Sequence, residues 1–147
     1  MSELPHITVA TVVERQGRFL MVKERSAGNI VYNQPAGHLE NGESLIAAAC
    51  RETLEETRWQ IEVTALLGIY HYRSSANNVT YIRHCFIARA LEEVPQASLD
   101  PDIIEAVWLS RDEIADLQSQ HRSPIVMAAI DDFNQGISFP LTLIHGS

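Results

Sequence analysis

The stretch from Ser44 to Thr57, SLIAAACRETLEET, constrains the fold most because it contains neither glycine nor proline. It is rich in Ala, Leu, Arg and Glu, which have high intrinsic helix propensities, so a helix is predicted here. Runs rich in β-branched and aromatic residues lie on both sides of it. Strand runs interrupted by a helix favour an α+β fold, in which a mixed sheet packs on helices.

Two hairpins are predicted around this helix. His6 to Glu14 and Arg18 to Arg25 are strand-like runs joined by Gln16-Gly17, a dipeptide suited to a tight turn. Ile61 to Tyr72 and Val79 to Ala90 form the second pair, separated by a turn-like segment rich in Ser and Asn.

The remaining segments are less regular. Ser26 to Gly42 carries three glycines, one proline and three asparagines, so mostly irregular structure is predicted, and such loops often hold functional residues. A short strand is expected from Ile104 to Leu109, followed by a capping box that begins at Ser110 and opens a helix. A last helix is predicted to begin at Ser123-Pro124 and to end near Gly136.

Size and composition limit the classes of protein that fit. A chain of 147 residues suits one domain, here 1–147, and no apolar run approaches the roughly 18 residues of a membrane span. The first residues lack the basic flank of a secretory signal, so the cytoplasm is the expected location. Cys50 and Cys85 lie far apart in apolar surroundings and are predicted to be free thiols.

The net charge points to a small-molecule partner. With 11 basic and 19 acidic residues the formal net charge is −8, which opposes non-specific binding to nucleic acid. An acidic protein that binds phosphates needs a metal ion or a local basic pocket between its own negative charge and that of the phosphate. The oligomeric state stays open.

Three carboxylates share one face of the predicted helix. Glu52, Glu55 and Glu56 are spaced i, i+3, i+4. By themselves they fit a solvated helix face. They lie, however, in a fixed frame: Gly37, five residues, Glu43, seven residues, then RETLEE from position 51. At average residue frequencies this frame would arise by chance with a probability on the order of one in a hundred thousand.

The frame resembles the Nudix box, G-x5-E-x7-R-E-U-x-E-E-x-G-U with U a bulky aliphatic residue, over 23 residues from Gly37 to Trp59. The resemblance implies the α/β/α sandwich of that family and hydrolysis of a phosphoanhydride bond. Two positions depart from the pattern: Thr53 replaces a larger aliphatic residue, and Arg58 replaces glycine. A left-handed, helix-ending conformation costs a non-glycine residue about 1 kcal/mol.

The resemblance also implies a metal site. The Gly37 carbonyl and Glu56 would hold a first ion, and Glu52 and Glu55 would hold further ions. Mg²⁺, or Mn²⁺ in its place, is the expected cofactor, because such ions prefer oxygen ligands and neutralise phosphate charge.

The resemblance also implies roles for an orienting arginine–glutamate pair and for a catalytic base, and each role has an alternative. Arg51 and Glu43 resemble its orienting pair, although an ordinary surface ion pair with Glu55 is the plain interpretation of Arg51. The family uses either a box glutamate or a later acidic loop residue as base, so Glu52 is the first candidate and Asp102 the second. The predicted catalytic residues are then Arg51, Glu52, Glu55 and Asp102.

Candidate substrate contacts come mainly from the loop before the helix. Gln34 to Glu40 resembles the loop of the bacterial NudJ-type phosphatases of this family, with Tyr32 where those often have Trp. The predicted substrate-binding residues are Lys23, Arg25, Tyr32, Gln34 and His38. Tyr70, Tyr72 and Tyr81 could stack a base, although aromatic residues in strands more often belong to the core.

The subgroup resemblance implies the substrates. These are nucleoside tri- and diphosphates and related pyrophosphates such as hydroxymethylpyrimidine pyrophosphate. The alternative within the enzyme class is a pyrophosphatase for ADP-ribose or another nucleoside diphosphate conjugate. A non-catalytic Nudix-like binding module is the alternative from another class, and the three box glutamates of this chain argue against it.

Overall fold

The computed structural model describes residues 4–146. Among them, seven strands and three α-helices follow this order: β1 (His6–Arg15), β2 (Arg18–Ser26), β3 (Asn29–Asn33), β4 (Ala36–His38), α1 (Leu45–Thr57), β5 (Trp59–Arg73), β6 (Thr80–Glu93), β7 (Ile103–Ser110), α2 (Arg111–Asp116) and α3 (Ile125–Asn134). Two short 3-10 turns follow α2 and α3, at Gln118–Gln120 and Leu141–Leu143. No helix in this range is long and apolar enough to cross a membrane.

The strands form a mixed sheet with the order β3-β2-β1-β6-β5. The short strand β4 pairs with β1, and β7 pairs with β2. β1 and β6 run parallel, whereas the remaining neighbours are antiparallel. The predicted α+β class and its mixed sheet are confirmed.

The side chains of β1 alternate between the two faces of the sheet, and this explains why helices pack on both faces. Val9 and Val13 pack in the clusters that include α1 residues, whereas Ala10 and Val12 pack in the cluster that contains residues of α2 and α3. Because successive side chains of a strand point to opposite faces, this strand is covered by helices on both sides. The sheet therefore lies between α1 and the later helices, as the family resemblance implied.

The β1–β2 hairpin is open at its far end. Within the described residues, the two strands pair only next to the Gln16-Gly17 turn, where Glu14 and Arg15 face Phe19 and Arg18. Farther along, β1 pairs with β4 and β2 pairs with β3 and β7. The C-terminal half of α1 meets the sheet at this opening, where Glu56 accepts a hydrogen bond from the Ala36 amide.

The prediction of irregular structure from Ser26 to Gly42 was wrong for two segments. Asn29–Asn33 forms β3 on β2, and Ala36–His38 forms β4 on β1. Loop-type residues are disfavoured in strands only weakly, and pairing with an existing strand outweighs that preference. β4 matters for function because it places Gly37 and His38 beside α1.

The two residues that depart from the box are both accommodated. Arg58 ends α1 in the left-handed conformation, with φ of 65°, and its side chain donates a hydrogen bond to the Ala97 carbonyl. Thr53 is fully buried and donates to the Ala49 carbonyl. Its hydroxyl lies 2.9 Å from that of Thr11, so a hydroxyl pair stands where an aliphatic contact was expected.

Candidate active site

Three carboxylates from two segments converge beside α1. Oxygen atoms of Glu52, Glu55 and Asp100 all lie within 4.8 Å of one another. Asp100 belongs to the segment between β6 and β7, and its backbone amide donates a 3.1 Å hydrogen bond to the Glu55 carbonyl. That bond ties the acidic loop to the helix and brings a residue that the sequence did not single out into the group.

Arg51 holds the neighbouring carboxylates in place. Its Nε and Nη2 atoms donate to both oxygens of Glu43, at 2.6 and 2.9 Å, and Nη1 donates to Glu55 at 3.1 Å. Nη2 also donates to the His38 carbonyl, which links α1 to β4. A bidentate guanidinium–carboxylate pair has a fixed geometry, and it lowers the pKa of Glu43.

Gly37 leaves room for the Glu52 carboxylate. A Cβ atom built on Gly37 would lie 1.4 Å from Oε2 of Glu52, a distance that no pair of non-bonded atoms can adopt. The backbone of β4 and the carboxylate are therefore in direct contact. The requirement for glycine at this position is steric.

Burial makes the ionised forms of two glutamates costly. Glu56 is 9% exposed, and desolvation raises its pKa to about 9 although the Ala36 amide donates to it at 2.9 Å. Glu52 is raised to a pKa of about 7, first by desolvation and then by its neighbour Glu55, against the opposing effect of Arg51. A divalent cation would supply the missing positive charge, and oxygen ligands suit hard cations. The residues present thus fit a metal site.

A cavity of about 530 Å³ opens next to these carboxylates. Its lining includes Glu52, Glu56, Gly37 and His38. Further polar, charged and aromatic lining residues are Thr8, Glu24, Asn33, Tyr72, Asn77, Tyr81, Arg83 and Arg122. The cavity joins the acidic group to basic and aromatic side chains, as a site for a charged molecule with an organic part requires.

The predicted substrate contacts are only partly brought to this cavity. His38 lines it, and its Nε2 lies 2.9 Å from Nδ1 of His6. Lys23, Arg25, Tyr32 and Gln34 are not among its lining residues.

Gln34 and Tyr32 make contacts elsewhere in the structure. Gln34 is 1% exposed, donates to the Val126 carbonyl and accepts from Arg83. It therefore lies behind the residues that line the cavity and holds Arg83 in position. Tyr32 pairs with Lys23 across β2 and β3.

Asp102 lies apart from the carboxylate group. It lines a second hollow with Arg25 and Arg122, and its carbonyl accepts a hydrogen bond from the Arg25 amide. The acidic side chain that reaches Glu52 and Glu55 is instead Asp100, two residues earlier. Spacing along the chain could not separate these two aspartates, because the turn before β7 decides which one points to α1.

Arg83, Arg122 and Glu24 are cavity residues that the sequence analysis did not select. Arg122 donates to Glu24 at 3.2 Å. Arg83 did carry a usable signal: it is a charged residue in the middle of the apolar strand run from Val79 to Ala90, and charged residues in such places are seldom buried without a function or a partner.

Comparison with known sequences identifies the family. A sequence model of the NUDIX domain matches residues 4–129. This chain belongs to the Nudix hydrolase family. The Nudix interpretation of the Gly37 to Trp59 frame is therefore confirmed, and so is the prediction that the chain is an enzyme.

Individual relatives agree with this assignment. The Nudix chain is 36% identical over 141 residues to the phosphatase NudJ of Escherichia coli, covering 95% of this chain and 90% of the relative. A Nudix hydrolase from Nitrosomonas europaea is 42% identical with a TM-score of 0.94, covering 98% of both chains. A MutT Nudix hydrolase from Burkholderia pseudomallei has a TM-score of 0.74 at 22% identity, covering 88% of this chain and 98% of its own, which shows the shared fold.

Family membership gives the general reaction. The Nudix chain is a pyrophosphohydrolase that acts on small nucleotide or pyrophosphate substrates. The acidic group beside α1 fits the divalent cation that such enzymes use. The match to phosphatase NudJ also confirms the resemblance drawn from the Gln34 to Glu40 loop.

Proposed function

We propose that this Nudix hydrolase uses Mg²⁺ or Mn²⁺ to remove terminal phosphate from nucleoside tri- and diphosphates and from related pyrophosphates such as hydroxymethylpyrimidine pyrophosphate. The observation that carries the proposal is the group of carboxylates held by Arg51 at the edge of the cavity. The 36% identity to an enzyme named as a phosphatase supports release of phosphate.

Each residue of the group has a proposed task. Glu56 and the Gly37 carbonyl would hold one metal ion, while Glu52, Glu55 and Asp100 would offer oxygens to a second. When bound, these ions neutralise the phosphate charge and activate a water molecule. Arg51 keeps Glu55 and Glu43 oriented and so limits the positions that the carboxylates can take.

Glu52 is the preferred general base. Its carboxylate lines the cavity and lies directly against the backbone of Gly37, within reach of a substrate that enters there. Asp100 becomes the second candidate in place of Asp102, because its carboxylate lies within reach of Glu52 and Glu55.

A substrate panel tests the proposal. Orthophosphate is measured with malachite green, and AMP by chromatography, for nucleoside triphosphates, nucleoside diphosphates, ADP-ribose and hydroxymethylpyrimidine pyrophosphate, with Mg²⁺, with Mn²⁺ and with excess EDTA. We expect orthophosphate from all except ADP-ribose, and no turnover in EDTA. Turnover of ADP-ribose alone, giving AMP, would support the pyrophosphatase alternative, and full activity in EDTA would rule out the metal site.

Matched variants test the carboxylates. Glu52→Gln should lower kcat a hundredfold or more, the scale expected for loss of a key electrostatic group. Glu62→Gln is the control, because Glu62 lies on β5 and pairs with the exposed Arg89 outside the cavity. Near-normal turnover in Glu52→Gln would remove Glu52 from the active site.

A further inference from the structure

Arg83 is a buried cation whose guanidinium forms no ion pair within residues 4–146, although Glu56 and Glu24 lie close enough to interact with it electrostatically. The residue is 9% exposed and lines the cavity. Nη1 donates to Oε1 of Gln34 at 3.3 Å, and Nη2 donates to Oδ1 of Asn33 at 3.2 Å. Both acceptors are neutral amides, and no ion pair is made with any residue in the described range 4–146. A guanidinium has five N–H groups, so these two bonds leave most of its donors available to a ligand.

Its orientation is fixed by the residues behind it. Gln34 donates in turn to the Val126 carbonyl at 2.8 Å, which anchors the amide to α3. The side chain of Arg83 is thus held by a short hydrogen-bonded chain before any ligand enters. Donors held in this way lose little conformational entropy on binding, so each new hydrogen bond adds more to affinity and to selectivity.

A pair of tyrosines stands next to Arg83 on the same face of the sheet. Tyr72 on β5 faces Tyr81 on β6, and both line the cavity. Tyr81 is two residues before Arg83, so their side chains point the same way, about 7 Å apart along the strand. Asn77 donates to the Tyr81 hydroxyl at 2.8 Å and helps to fix that ring. Two aromatic side chains therefore border a fixed set of N–H donors, and the Tyr81 ring also contacts the rings of His6 and His38.

We propose that Arg83 determines specificity by donating hydrogen bonds to a ring nitrogen or carbonyl of a heteroaromatic ring that packs against Tyr72 and Tyr81. The inference rests on the proposed function, because the pyrophosphate of the same substrate then reaches Glu52 and Glu56, which line the same cavity. The preferred substrates are pyrophosphates that carry a nucleobase or a similar nitrogen ring. Inorganic polyphosphates lack the group that Arg83 recognises.

Two variants and a matched control test this inference. Arg83→Lys keeps the positive charge but loses the planar fork, and Tyr81→Leu removes the aromatic surface. Arg89→Lys is the control, since Arg89 lies on the same strand, is exposed and pairs with Glu62. For each protein, KM is measured for ATP and CTP, and Ki for tripolyphosphate as a competitor. Tripolyphosphate carries the phosphates without a ring, so its Ki reports phosphate binding without ring recognition.

We expect KM for ATP and CTP to rise roughly tenfold to a hundredfold in Arg83→Lys, the range for losing hydrogen bonds from a charged group. Tyr81→Leu should also raise KM, while Ki for tripolyphosphate stays within about twofold of wild type in both variants. Equal weakening of nucleotide and tripolyphosphate would show that Arg83 binds phosphate and would overturn the inference. Unchanged KM in both variants would overturn it as well.

Binding without turnover separates this inference from the proposed function. The rise in melting temperature caused by ATP or CTP with Mg²⁺, compared with that caused by tripolyphosphate, reports affinity even if neither nucleotide is hydrolysed. If hydrolysis fails but Arg83→Lys selectively loses the nucleotide shift, the proposed substrates are wrong and the ring site stands. Ligand-free melting temperatures show whether each variant is folded, and the Arg89→Lys control should match wild type throughout.

Discussion

At Gly37, the missing side chain decides where the Glu52 carboxylate can lie. The built Cβ atom would meet Oε2 of Glu52 at 1.4 Å, so Gly37→Ala must displace either β4 or the carboxylate. We expect kcat to fall by roughly a hundredfold, the loss that a displacement of about 1 Å causes in a catalytic site. Gly68→Ala is the control, because the atom nearest to its added methyl group would belong to Tyr70, at an ordinary 3.5 Å. Full activity in Gly37→Ala would contradict the tight contact.

At the same scale of one residue, the burial of Glu56 predicts that the stability of the protein depends on pH. Burial raises its pKa to about 9 in the folded state, above the ordinary 4.5, so the folded protein binds the proton more tightly than the unfolded chain. This contribution to stability is fully present below about pH 4.5 and is lost as pH rises towards 9. Without metal, Glu56→Gln should therefore match wild type at pH 5 and exceed it at pH 8.5, by a few kcal/mol at most.

Urea unfolding in EDTA at the two pH values measures this difference. Gln keeps the size of the side chain and can still accept the hydrogen bond from the Ala36 amide. Glu62→Gln should show no such dependence, since Glu62 is exposed on β5. If Glu56→Gln is less stable than wild type at pH 8.5, the ionised carboxylate is paired in the folded protein and burial does not dominate.

At the scale of an element, the end of α1 depends on a residue that is poorly suited to its conformation. Arg58 has a φ of 65°, which costs about 1 kcal/mol relative to glycine, but its guanidinium donates to the Ala97 carbonyl. On the box pattern alone, Arg58→Gly is expected to be neutral or stabilising with activity intact. The structure adds the hydrogen bond to Ala97, and its loss offsets part of the stability gained by relieving the backbone strain.

Two substitutions at Arg58 separate these effects. Both Arg58→Gly and Arg58→Ala remove the bond to Ala97, but only Gly removes the backbone strain. We therefore expect Arg58→Gly to remain within about 1 kcal/mol of wild type, and Arg58→Ala to be about 1 kcal/mol less stable than Arg58→Gly. Thermal or urea unfolding measures both. Equal stabilities would mean that the left-handed conformation is relaxed once the side chain is removed.

At the scale of the whole molecule, metal binding should be linked to folding. The chain carries a net charge of −8, and three carboxylates meet within 4.8 Å beside the buried Glu56. A cation that binds only the folded state raises stability according to its concentration over Kd. Mg²⁺ or Mn²⁺ at millimolar concentration should raise the melting temperature of wild type more than that of Glu56→Gln. Equal shifts in both proteins would indicate binding elsewhere.

Much of the local structure could be predicted from short-range patterns. The helix from Ser44 to Thr57, its two flanking hairpins and the capping box at Ser110 depend on propensity, alternation and turn residues, which neighbouring residues largely decide. The strands Asn29–Asn33 and Ala36–His38 could not be predicted in this way. Their composition is that of a loop, and only pairing with β2 and β1 makes them strands.

The same difference between local and long-range interactions separates the predictable from the unpredictable residues of the site. The sequence by itself determined the family, the helix and the shared face of Glu52, Glu55 and Glu56, because a spacing of i, i+3, i+4 acts within two turns of one element. The tertiary structure alone decided that Asp100 and not Asp102 joins Glu52 and Glu55, and that Arg83 lines the cavity while Gln34 lies behind it. Those contacts link residues up to 92 positions apart, and the packing of the sheet against its helices, not local sequence, brings them together.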